Sequence, residues 1–212
     1  MYSKARLLGA ALIAALLLAL GAGSAAASRT FSVVGGGRAF LLISQGRVTF
    51  TGDNGANWIS EVTLHGTIHP SLPKTAGALQ GAITSVRDGG CRSSVGIECQ
   101  FIGLTTRPWH ITLSGFSGTL PRITALLSIM RSVELGWTIE RSLRCLYIGE
   151  ISVQLRSLTE GTLERFDVLA GGASTIPLIR AEGEEFFRRC PRTLKWESLN
   201  FRIEPMITIR LA

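Results

Sequence analysis

The 212-residue chain carries 22 Lys+Arg against 15 Asp+Glu, a formal charge of +7 at neutral pH. The charges are scattered and often sit beside acids. With no basic run and no interleaved aromatic ladder, they lack the footprint of a nucleic-acid reader, and the basic balance implies at most a loose attraction to anionic cell-wall polymers or lipid surfaces. Only Lys4, Lys74 and Lys195 are lysines, and this skew toward arginine points to a GC-rich genome more than to a function.

Residues 1–27 read as a signal peptide. Lys4 and Arg6 give a positive start, Leu7 to Leu20 is an apolar run, and Ala25-Ala26-Ala27 offers a small-residue cleavage signal before Ser28. The run is short for a membrane span, which needs about 20 residues, and no later stretch is apolar enough to make a transmembrane helix. The expected mature chain, 28–212, suits one domain or two packed halves, 28–135 and 136–212.

Gly35-Gly36-Gly37 after Val33-Val34 lacks the spacing of a dinucleotide loop, since Phe40 stands where a third glycine belongs. A turn is the expected structure. Phe40–Ile43 and Arg47–Thr51 predict two strands joined through Gln45-Gly46, and Gly52-Asp53-Asn54-Gly55 a turn. Trp58–His69 is the longest clean alternation. Val62, Leu64, Gly66 and Ile68 form one face; Glu61, Thr63, His65, Thr67 and His69 form the other. His65 and His69 are weak ligand candidates, because residues four apart on a strand are separated by about 13 Å.

Pro70–Pro73 breaks this strand. A further strand is expected from Gly77 to Val86, a turn at Arg87-Asp88-Gly89-Gly90, and a loop closed by Cys91 and Cys99. Pro108–Gly118 follows as a strand in which Trp109, Ile111 and Leu113 alternate with His110, Thr112 and Ser114. Its buried face should take Trp109 and its wet face His110, a third weak ligand candidate. Residues 121–136 fit either helix or strand. Ile123, Leu126, Leu127 and Met130 have helical spacing, whereas Ile123, Ala125, Leu127 and Ile129 have strand spacing, and the all-β surroundings favour the strand. Cys145–Arg156 predicts a strand with Tyr147, Ile151, Val153 and Leu155 on one face. Thr162–Ala170 is its hairpin partner across Leu158–Gly161, and Gly171-Gly172 is a turn. Glu182–Arg189 is a charged loop or helical turn, and Thr193–Arg202 and Met206–Leu211 are closing strands.

Turn signals recur about every ten residues, the rhythm of a sandwich or barrel and not of βαβ units. The fold class is therefore all-β, an antiparallel sandwich or barrel-like sheet. Four cysteines in an exported chain should be oxidised. Of the three connectivities, Cys91–Cys99 with Cys145–Cys190 is preferred because each bond then stays within one half of the chain. The cysteine spacings do not suit zinc.

Glu61-Val-Thr-Leu-His-Gly-Thr-Ile-His69, Lys74-x-x-Gly77, Gly81-x-Ile-Thr84, Trp109-His-Ile111, Gly118-Thr-Leu-Pro-x-Ile-Thr124, Cys145-Leu-Tyr147 and Cys190-Pro191 together carry a resemblance. The chain resembles a loose group of exported β-proteins of high-GC Gram-positive (actinobacterial) bacteria. The resemblance covers roughly residues 58–150 and the tail. It implies an exported β-fold, but no activity and no functional residue.

No catalytic motif emerges. Gly115-Phe116-Ser117-Gly118 is followed by Thr119 where a serine elbow needs glycine. A triad would have to draw on His65, His69 or His110 and on Asp53, Asp88 or Asp167. The expectation is a secreted, non-catalytic structural or binding protein of the cell envelope or extracellular space, with no cofactor and no bound metal. Its possible partners are a cell-wall polymer or a carbohydrate. A carbohydrate-binding module is the alternative, with Trp58 and Trp196 as candidate platforms, and a secreted hydrolase ranks below it.

Overall fold

The computed structural model describes residues 30–34, 38–93, 98–102, 107–119, 122–139, 143–159, 161–169, 175–182, 190–197 and 199–211. The signal peptide, the Gly35–Gly37 and Gly171-Gly172 turns and the charged segment 183–189 lie outside the described residues. Within them every regular element is a β-strand.

Four long strands form the frame: β4 (Asn57–Ile68), β6 (Leu79–Ser93), β9 (Arg122–Ile139) and β10 (Leu143–Thr159). The β4–β6 and β9–β10 pairs are antiparallel along most of their length. The other strands bridge these two pairs separately at each end. At one end β8 (Trp109–Thr119) joins β6 to β9. On the other flank β11 (Thr162–Val168), β14 (Leu199–Leu211) and β2 (Ala39–Ser44) lead from β10 back to β4. This closes an antiparallel barrel of 8 strands. At the opposite end β7 (Glu98–Ile102) joins β6 to β9, while β12 (Thr175–Glu182), β13 (Thr193–Trp196) and β3 (Val48–Gly52) lead from β10 to β4. The hydrogen-bonded pairs thus form a second circuit that shares the same four frame strands. Outside the rings, β1 (Thr30–Val34) pairs with β14, and β5 (Ser71–Pro73) pairs with β1.

The architecture is the expected antiparallel all-β one, in its closed-barrel form. Segment 121–136 is strand, as its neighbourhood favoured. The 135/136 position falls inside β9, and strands from either side of it pair through β2–β14 and β3–β13. The strands predicted at 40–43 and 47–51 do not pair with each other. They lie end to end along one edge of β4, with β2 opposite 63–67 and β3 opposite 57–60. The Gly52–Gly55 turn forms as predicted, with Gly55 at φ +81 and its N–H donating to the Gly52 carbonyl.

Alternation decides which side chains fill the rings. On β4 the inward set is Trp58, Ser60, Val62, Leu64, Gly66 and Ile68, all buried. Gly66 is needed because the Phe40 ring on neighbouring β2 lies over it, inside the contact distance of any added Cβ. Around the second circuit the core is aromatic. Trp137 packs on Phe50 at 4.9 Å, Phe101 at 5.1 Å, Trp58 at 5.6 Å and Tyr147 at 5.7 Å between ring centroids. Such pairs each add about 0.5–1.5 kcal/mol beyond the area they bury. A further chain runs Trp196–Phe201–Phe166 toward the first ring.

Two bulges depart from the simple alternation. Arg131 and Ser132 together face Glu150, between the pairs Met130–Ile151 and Val133–Gly149, and Ser132 takes φ +57. The extra residue resets the phase of β9. Its inward residues are Leu126, Ser128 and Met130 before the bulge, then Val133, Leu135 and Trp137 after it. The predicted face of Ile123, Ala125, Leu127 and Ile129 is therefore not the one aimed at Ile151, Val153 and Leu155 across the β10 pairing. The second bulge is at Gly89-Gly90, two residues opposite Glu61 alone. Arg87–Gly90 was expected to turn, but β6 runs straight through it, because two glycines, one at φ +128, absorb the extra residue.

Both disulfides form as preferred. Cys91 and Cys99 face each other across the β6–β7 pair with Cα atoms 5.2 Å apart. Cys145–Cys190 ties β10 to the segment entering β13 at 5.8 Å.

Candidate functional site

The three histidines do not converge. His65 and Thr67 point outward from β4, with His69 just beyond its end. His110 on β8 is in register with Ala82 of β6, which in turn faces Thr67. Two strand spacings therefore separate His110 from the β4 row, about 10 Å, too far for one ion. Among the described residues no group of three or more His, Cys, Asp or Glu side chains could hold a metal. The His65 Nε2 is buried without a hydrogen-bond partner among those residues.

The aspartates that could complete a triad are otherwise engaged. Asp53 Oδ1 accepts the backbone N–H of Arg192 at 2.9 Å and of Thr193 at 3.4 Å, fixing the entry to β13. Asp167, almost fully buried on β11, is flanked by Arg156 Nε at 3.4 Å and Arg165 Nε at 3.9 Å. The Asn200 amide completes that cluster, its nitrogen donating to Asp167 Oδ1 at 2.8 Å. Asp88 is in register with Val62. Ser117 sits within β8 opposite Ala125, on a continuing strand and not on a strand-to-helix elbow.

The aromatic candidates are core residues. Trp58 is 2% exposed, and Trp109, Trp137 and Trp196 are 0%. Trp58 and Trp196 therefore offer no platform to a sugar ring. Trp58 continues the inward series Ser60, Val62, Leu64, and Trp196 alternates with exposed Lys195, so both placements were legible in the period of two.

What the exterior does present is a groove at the waist, where β2 and β3 meet end to end along β4. Two adjoining depressions, of about 360 and 400 Å³, share Glu61 and Gly89. Their walls carry three exposed arginines. Arg47 precedes β3, while Arg87 and Arg92 lie on β6 opposite Thr63 and Ile59. The Gly89-Gly90 bulge builds the floor. A Cβ on Gly89 would stand 3.1 Å from the Glu61 Cβ and 3.4 Å from its Oε2, so glycine is what keeps the groove open beside the carboxylate. Facing the gap, the Val62 N–H donates to Ser44 Oγ at 3.3 Å, a side chain serving where β4 changes partner. Cys91 of the first disulfide also lines the groove.

In chemical terms the groove offers three guanidinium forks and one acceptor carboxylate, spread over about 13 Å from the Ile59 row to the Thr63 row of β4. Arginine forks match the oxygens of phosphates and carboxylates. The sequence reading missed these residues because they are far apart in the chain, and because paired glycines were taken for a turn. Glycines inside a strand pattern are also the sign of a bulge, and that was the available clue. No known family, no curated protein and no solved structure matches the chain.

Proposed function

We propose that this chain is exported and acts in the cell envelope or extracellular space as a non-catalytic binding or structural component, with the waist groove as its contact surface. The observation that carries the reading is the pairing of all four cysteines, one bond across β6–β7 and one behind β10. Such cross-links persist in oxidising compartments. The charged leader with its apolar run and Ala-x-Ala end supports the same destination. The separate engagement of Asp53 and Asp167, and the distance of His110 from the β4 row, support a binding role over hydrolysis.

The test is to produce the full-length chain, and one lacking residues 1–27, in an exporting bacterial host. The full-length chain should be recovered outside the cytoplasm, beginning at Ser28, with no thiol open to alkylation. The shortened chain should stay inside with reactive cysteines. Full-length protein retained in the cytosol with four alkylatable thiols would overturn the proposal.

A further inference from the structure

The groove has a composition that says what it takes. Its arginines stand at the two ends and on one flank, and its single carboxylate stands at the centre, where the two depressions join. An anion bound at the centre would meet Glu61 and be repelled. A ligand with hydroxyl donors in the middle and anionic groups on either side would satisfy every member of the set, because a carboxylate only accepts and guanidinium groups only donate. The absence of an exposed tryptophan among the described residues fits recognition by polar contacts and not by stacking. The site is long and open and lies on the barrel wall, a shape suited to a chain passing through it and not to a small enclosed molecule.

We infer that the waist groove binds an extended anionic glycan, a sugar chain bearing phosphate or carboxylate groups. Arg47, Arg87 and Arg92 hold the charged groups, and Glu61 accepts a sugar hydroxyl between them. This rests on the reading of the chain as a binding protein and names the ligand class of that same surface.

The experiment is a titration of the purified, oxidised protein with three soluble polymers of matched length: a phosphate-bearing glycan, a carboxylate-bearing glycan and a neutral glucan. The anionic polymers should bind and the glucan should not, and comparing the two anionic arms identifies the preferred group. A triple variant, R47S/R87S/R92S, should bind at least about tenfold more weakly, as loss of several charge-assisted bonds requires. A control, R38S/R107S/R210S, removes the same charge from exposed positions elsewhere and should bind as wild type. The sign of the Glu61→Gln effect is decisive. Loss of the acceptor should weaken binding several-fold, although the change makes the groove more positive. Tighter binding by Glu61→Gln, or equal weakening by the control triple, would reduce the interaction to bulk charge and overturn the inference. Equal affinity for the glucan would overturn the anionic assignment and leave the binding role standing. No affinity for any of the three polymers, in protein with an unchanged melting curve, would overturn the inference, and the export assay would then judge the broader proposal alone.

Discussion

Removing the Cys145–Cys190 bond should destabilise the protein more than removing Cys91–Cys99, even though both link neighbouring segments of the same circuit. The difference follows from loop length. The bonds close loops with sequence separations of 45 and 8. In the chain-entropy treatment these restrain the unfolded chain by about 4 and about 2.6 kcal/mol respectively. For a domain of this size each kcal/mol is worth roughly 2–4 °C in Tm, so C145A/C190A should melt about 8–16 °C below wild type and C91A/C99A about 5–10 °C below. Cys145 and Cys190 are also buried, at 1% and 4% exposure, so truncating them adds a packing loss in the same direction. The assay is calorimetry of wild type and the two double variants, with thiol titration to confirm the oxidised state. The reasoning is refuted if C145A/C190A melts within a degree or two of wild type, or if the short-loop variant proves the less stable of the two.

Two further outcomes follow from the aromatic core. Tyr147 is buried and donates its hydroxyl to the Pro191 carbonyl at 3.0 Å. Burial, with a smaller contribution from the nearby Asp53 charge, raises its pKa far above the usual tyrosine value. A proton held more tightly in the folded state means stability that is whole below about pH 10 and lost as pH climbs above it. Protein lacking residues 1–27 has Tyr147 as its one tyrosine, so absorbance at alkaline pH should show phenolate only on unfolding, and Tyr147→Phe should flatten that alkaline loss while leaving the Pro191 carbonyl short of a donor. Trp137→Ala should cost about 3–5 kcal/mol and erase most of the near-ultraviolet circular dichroism, since four aromatic rings lose their common neighbour; an intact signal would show that the cluster is not packed around Trp137.

Much of this fold could be read from local pattern. The inward series on β4 and the Tyr147, Ile151, Val153, Leu155 face of β10 follow directly from a period of two, as does the burial of Trp109. Both disulfides followed from keeping each bond within one half of the chain. The phase of β9 did not, because a serine at positive φ carries no compositional flag, and one extra residue exchanges the two faces of everything beyond it. Ring closure was also hidden. It depends on residues 41–44 meeting 201–204 and on residues 50–52 meeting 194–196, partners that no window along the sequence brings together. The groove inherits both difficulties, for it exists only where a bulge in β6 meets the break between β2 and β3.

Closing a sheet on itself also changes what the molecule offers its neighbours. In an open sheet the outermost strand presents a row of unused amides and carbonyls onto which a second chain can graft itself, the first step toward fibres. Here the frame strands spend those groups on one another at both ends of the molecule. In a space without chaperones to undo a wrong pairing, a wall without loose seams lets the chain sit at high density beside its own copies and still meet them only through side chains.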